Sequence, residues 1–269
     1  MAAGDRAKAV LAACRAAYDQ HAAEYARRID PTLAAPVERV VELAGARPGV
    51  RLLDLATGTG AVARAATRRG ASVVGVDVSE PMLAVAREFS PEIDFRVADA
   101  HGLPLPDGEF DVVNCALALS HFQDPPKALG EVSRVLRRGG RLVASTWGTG
   151  GGTPASEKVV ELLERYGARD KGYMLVEETW LDPDNGSKVL RRAGFTGMTV
   201  SAETFAGRFS DAEQALQWTL AWPFASARLD RIAGSVRDTF KTAARRELAD
   251  VDLSWTFVFN FYDAAKHRV

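Results

Sequence analysis

Three carboxylates end short apolar runs: Asp54 after Leu52 and Leu53, Asp77 after Val73 to Val76, and Asp99 after Phe95 to Ala98. Each run reads as a buried strand, and an acid at its end can face a ligand. Asp54 leads into Leu55-Ala56-Thr57-Gly58-Thr59-Gly60, where a strand breaks into a tight turn that opens a helix. The glycines carry no Cβ, so the backbone there can approach a ligand closely. A dinucleotide is one ligand for such a turn, with its pyrophosphate on the helix N-terminus, and Gly58-x-Gly60-x-x-Ala63 taken alone fits that fingerprint.

Four features favour a ligand without phosphate, S-adenosylmethionine (SAM). A carboxylate at Asp54 repels a pyrophosphate and suits the ammonium end of an amino acid, or else caps the backbone of the turn. Asp77 can grip a ribose diol through charge-assisted hydrogen bonds, which suits either ligand. Asp99 can accept from an adenine amino group. The run Asp111 to Leu119, followed by Glu131 to Val143 with Gly139-Gly140, supplies two further strands after the acidic ones.

In these motifs the chain resembles the class I SAM-dependent methyltransferases, in the small-molecule branch similar to the ubiquinone/menaquinone-biosynthesis enzymes. The residues that carry the likeness are the Asp54–Gly60 turn, Asp77, Asp99-Ala100, Phe110-Asp111-Val112-Val113 and Arg134-Val135-Leu136 running into Gly139-Gly140. They span roughly residues 18–147. Ala56-Thr57 stands where the family more often has Gly-Cys or Gly-Ser. The resemblance implies SAM as cofactor, held by Asp54, Ala56, Thr57, Gly58, Gly60, Asp77, Val78, Met82, Asp99, Ala100, Ala116 and Leu117. It also implies an N-terminal flap carrying Tyr18 and Tyr25, whose aromatic faces can lie near the cation.

Methyl transfer from a sulfonium is an in-line displacement with an excellent leaving group. The protein mainly orients and desolvates, so few catalytic residues are expected. His121, in Ser120-His121-Phe122, follows the fourth strand and is the candidate general base. Packing or substrate positioning is its other reading. Trp218 and Trp222, spaced i, i+4, and the neighbouring Phe224 are candidates for an aromatic acceptor pocket with Trp147, although such stripes also serve as core. Histidines 21, 101, 121 and 267 lack ligand spacing, so no metal site is expected.

The elements that must position these groups alternate. Helices are predicted over about 5–28 and 36–46. Strand 50–55 leads to a helix from Gly60, and strand 72–77 to one from about 80, with Ser79 as N-cap. Strand 93–98 precedes the loop 101–108, and strand 110–116 leads to helix 125–137 with Asp124 as N-cap. Strand 141–147 ends at a glycine-rich hinge, Gly148–Gly152. Thr153-Pro154 then caps a helix reaching about Gly167. Asp182 to Gly186 reads as turn chemistry. Strand 197–205 is followed by helical segments over 210–248, opened by a Ser210-x-x-Glu213 capping box and interrupted at Pro223. The last strand, 253–262, places Trp255, Phe257, Phe259 and Phe261 on one face.

This alternation predicts an α/β fold: a doubly wound sheet with helices on both faces. The resemblance implies seven strands with the last antiparallel, a single domain over 1–269, a flap over 1–46 and a helical lid over 210–248. Composition, 47% apolar and 26% charged, is that of an ordinary globular protein. The net charge of −1 argues against a general nucleic-acid surface. Two cysteines in unrelated segments, and no leader or membrane-spanning run, point to a cytoplasmic protein whose partner is a small molecule. Lesser readings are a protein that uses SAM as scaffold or for another reaction, and an NAD(P)-linked oxidoreductase.

Overall fold

The computed structural model describes residues 3–168 and 178–267. In chain order the elements are α1 (Ala3–Arg28), α2 (Ala34–Leu43), β1 (Arg51–Leu55), α3 (Ala61–Arg68), β2 (Ser72–Asp77), α4 (Glu80–Phe89), β3 (Asp94–Val97) and β4 (Phe110–Ala116). Then come α5 (Pro125–Val135), β5 (Leu136–Trp147), α6 (Pro154–Arg165), α7 (Glu178–Leu181), α8 (Pro183–Arg192), β6 (Phe195–Arg208), α9 (Ala212–Ala221), α10 (Pro223–Leu229), α11 (Gly234–Leu248) and β7 (Ser254–Lys266).

The seven strands form one sheet in the order β3-β2-β1-β4-β5-β7-β6. Strands β1 to β5 pair in parallel, and β7 runs antiparallel to β5. Leu52 to Leu55 are all buried, as expected where both faces of a parallel sheet are covered. Leu53, Val76, Phe110, Val113, Leu129 and Val132 belong to one core cluster. Among the described residues, no helix is long and apolar enough to cross a membrane.

The described residues divide into two compact units. A sheet unit comprises 33–149, 178–203 and 258–267; a helical unit comprises 3–32, 150–168 and 204–257. The expected lid falls in the helical unit, as does the expected flap up to Thr32. The helical unit has its own aromatic centre: Trp218 stacks on Phe257 at 5.6 Å, and Trp255 on Phe257 at 4.7 Å.

Several boundaries differ from those read in the sequence. Helix α5 stops at Val135, because β5 begins at Leu136 and pairs there with Phe110. The box predicted at Ser210 and Glu213 sits one residue on: Asp211 Oδ1 accepts from the Gln214 amide, and Gln214 Oε1 accepts from the Ser210 amide. Glu213 instead pairs with Arg245. Asp182 is more than a turn residue, since its carboxylate accepts from Asp184 N and caps α8, with Pro183 in the first turn. Thr153 precedes α6, but its hydroxyl makes no capping bond. Ser79 and Asp124 cap α4 and α5 as read, accepting from Met82 N and Lys127 N.

Candidate functional site

The turn after β1 is held from below and from both sides. Thr57 N donates to Val76 O at 2.9 Å, tying the turn to β2. Gly60 takes a left-handed φ of 81° and caps α3. A Cβ on Gly60 would stand 2.9 Å from the Phe95 ring, and one on Gly75 would stand 2.6 Å from the same ring. Phe95 is thus the floor of the turn, and both positions need glycine. At Gly58, also left-handed at 55°, a Cβ would meet nothing within 4 Å, so this stretch of backbone opens outward.

Asp54 is 1% exposed. Its Oδ2 accepts from Thr57 Oγ1 at 2.6 Å and from Ala63 N at 3.0 Å, and its Oδ1 accepts from Asn114 Nδ2 at 2.7 Å. Burial pushes this carboxyl up to about 6, against the three donors, which lower it; repulsion from Asp77 adds to the rise. The carboxylate therefore fixes the turn and the start of α3. Asp77 is half-buried at the end of β2. Its Oδ2 accepts from Gly58 N at 2.8 Å and its Oδ1 from Ser79 N at 2.9 Å, which locks its rotamer beside the open turn.

Asp99 is exposed, and its Oδ1 accepts from the His101 amide at 2.9 Å and lies 2.6 Å from His101 Nδ1. The His101 Nε2 accepts from Asp124 N, so in the neutral ring Nδ1 carries the proton and donates to Asp99. These contacts, led by the backbone bond from His101, hold the Asp99 carboxyl below its ordinary range. Ala100 is buried beside it, whereas Val78 is 38% exposed after Asp77. Met82 is 3% exposed and so belongs to the packed interior.

Ala56 and Leu117 both have φ of 56°, a left-handed conformation unusual for residues with a Cβ. They follow β1 and β4, so backbone strain is concentrated where the candidate residues lie. Leu117 N donates to Ser145 O at 2.8 Å, and Ala116 precedes it at the end of β4. Leu117, Ser120, Thr146, Trp147, Trp180 and Leu181 line a small half-open cleft of about 10 Å³, close to the minimum for one water molecule. Trp147 packs on Phe259 at 4.7 Å. His121 closes a short 3-10 turn, Leu119–His121, and burial lowers its imidazole pKa.

The sheet unit thus gathers the candidates from Asp54 to Leu117, with His121 and Trp147. The other five fall in the helical unit and form a cluster there. Tyr18 meets Tyr25 edge-on at 5.7 Å, and Tyr25 meets Trp222 at 5.8 Å. Trp222 meets Trp218 at 5.5 Å and stacks on Phe224 at 6.4 Å. Trp218 Nε1 donates to Thr32 Oγ1 at 2.9 Å. Burial raises the Tyr25 phenol well above its ordinary pKa. The sequence reading missed Asn114, whose one signal was an amide within the apolar stretch from Val112 to Ala116.

The donors and charges present suit SAM. Two carboxylates flank the turn and already repel one another, so a pyrophosphate would add a third negative group, while an ammonium and a sulfonium relieve the repulsion.

Known proteins agree. A methyltransferase domain family matches residues 53–144. A demethylmenaquinone methyltransferase from Thermus thermophilus is 50% identical over 39% of this chain and 50% of its own length. One from Renibacterium salmoninarum is 33% identical over 60% of this chain and 72% of its own. The chain therefore spans half of the first relative and most of the second. The YcgJ protein of Bacillus subtilis shares the fold, with a TM-score of 0.56 and 21% identity over 87% of this chain and 98% of that one. The chain belongs to the class I SAM-dependent methyltransferases of the ubiquinone/menaquinone-biosynthesis type, enzymes that carry a methyl group from SAM to a small molecule.

Proposed function

We propose that this protein binds SAM at the turn after β1 and methylates an oxygen, nitrogen or carbon atom of a small, apolar or aromatic acceptor. The observation that carries the binding reading is the acidic turn itself. Asp77 is fixed by the Gly58 and Ser79 amides, buried Asp54 lies behind it, and the Gly58 backbone opens outward. When bound, SAM supplies an activated methyl group and its leaving group. Asp77 then accepts from the ribose hydroxyls, Asp99 from the adenine amino group, and Ala116 and Leu117 border the methionine portion. Val78 and Ala100 supply apolar contact, with Met82 packed in the interior behind them, and Tyr18 and Tyr25, the flap residues expected from the sequence, belong to the ring cluster of the helical unit.

His121 is proposed to take the proton that an acceptor hydroxyl, amine or carbon acid must lose. Burial favours the neutral imidazole, the form that accepts a proton, and at the same time lowers its basicity. Near-normal turnover of His121→Ala across the pH range would remove that role. The aromatic side chains that favour an aromatic acceptor are Trp147 within the sheet unit and, within the helical unit, the ring cluster of Trp218, Trp222 and Phe224. Because the two relatives are named for methylating demethylmenaquinone, that compound is the first acceptor to test. A reducing cytoplasm accords with Cys115, held as a buried free thiol.

Calorimetry with SAM, S-adenosylhomocysteine and NADH tests the binding reading. The first two should bind and NADH should not. Uptake of NADH with neglect of the other two would refute it.

A further inference from the structure

Asn114 lies in β4 directly beside Asp54 in the register of β1 and β4. Both side chains are buried, Asn114 at 0% exposure. Its Nδ2 holds one oxygen of Asp54, while Thr57 Oγ1 and Ala63 N hold the other. The Asn114 Oδ1 is buried and meets no protein donor among the described residues. A buried acceptor without a partner is costly, and an aliphatic side chain of similar size would avoid that cost. What the amide supplies in exchange is a donor to Asp54.

We infer that Asn114 is a positioning residue for the cofactor turn: its Nδ2 sets the rotamer and charge state of Asp54, and through it the spacing of Thr57 from the start of α3. The inference rests on the proposed binding of SAM at this turn. The titratable groups acting with Asp54 are Asp77 at the end of β2 and the Cys115 thiol on β4. Its other contacts, from Thr57, Ala63 and Asn114, are neutral donors. Removing one of those donors favours protonation of Asp54.

The test is S-adenosylhomocysteine affinity, by calorimetry, between about pH 5.5 and 8.5. Asn114→Asp is nearly isosteric and puts a second carboxyl within hydrogen-bond distance of the first. Two carboxylates so close share one proton. While the pair holds it, the new O–H donates to Asp54 as the amide does. Once it is lost, the donor is gone and the two groups repel. Affinity of N114D should therefore fall roughly tenfold as pH rises. Asn114→Leu removes the donor and adds no titration, so its affinity should be weaker than wild type at low pH and recover as Asp54 ionises. Opposite slopes in the two variants support the inference, and curves parallel to wild type in both overturn it. Should N114D not fold, N114L decides alone, a curve parallel to wild type counting against. A wild-type protein that binds no S-adenosylhomocysteine at any pH refutes the cofactor reading of the turn, a separate outcome.

Discussion

The carboxyl edge of the sheet and the interior of the helical unit are built on different principles. At the sheet edge, Asp54, Asp77 and Asp99 are each fixed by hydrogen bonds from the protein's own backbone and neighbours. Position there is set by short, directional, charge-assisted bonds. In the helical unit, Tyr18, Tyr25, Trp218, Trp222 and Phe257 hold one another through ring contacts between about 5.5 and 5.8 Å. Such contacts fill volume and tolerate adjustment. The difference is one of precision: directional bonds to backbone amides fix individual polar atoms, whereas packed rings fix only a volume.

Four measurements press on that contrast. Trp218→Ala should cost the most, roughly 3–5 kcal/mol of stability, because it empties a buried position that stacks on Phe257 and bonds to Thr32. Chemical denaturation reads it, and a loss below about 1 kcal/mol would mean the cluster is no core. Next, Asp54 has a raised pKa in the fold, so its contribution to stability is full below its ordinary value of 3.8 and is lost as pH rises through about 6. The whole swing is roughly 3 kcal/mol. Asp54→Asn should flatten that part of the stability profile, with Asn114 turning its free carbonyl toward the new amide. A variant whose profile superimposes on wild type would mean Asp54 is not desolvated as described.

Asp77→Ala should weaken SAM by roughly ten- to 150-fold, through loss of about 1.5–3 kcal/mol in charge-assisted bonding, with a smaller effect on stability. Unchanged calorimetric affinity would detach Asp77 from the ribose. The smallest effect is expected at Ala56. Its left-handed φ suits glycine, so Ala56→Gly should gain roughly 0.5–1 kcal/mol in thermal unfolding. A loss would show that the Ala56 methyl packs well enough to repay its strain.

The same contrast explains what could be read from the chain. Asp54, Asp77 and the glycine turn were legible because each meets a backbone amide close by in the fold, which ties residue type to spacing along the chain. Of the parallel strands, β1, β2 and β3 were legible as apolar runs leading to acids. The boundary at Leu136 was not, because Leu136 to Gly140 have no helical or strand period until β5 pairs with β4. The cap at Asp211 was misplaced by one residue because Ser210-x-x-Glu213 satisfies the same pattern as Asp211-x-x-Gln214. Asn114 escaped notice because its partner is 60 residues away in sequence and adjacent only in the sheet. Trp218 and Trp222 offered helical spacing, which does not distinguish an interior from a pocket.

One aromatic ring underlies much of this arrangement. Phe95 presses up between Gly60 and Gly75, leaving neither position room for a methyl group. The height of the turn after β1 above the sheet is thus governed by a side chain on a strand two places away. Variants meant to admit a bulkier nucleoside should begin by trimming that ring, since altering either glycine while the ring stays would unseat the loop before it widened anything.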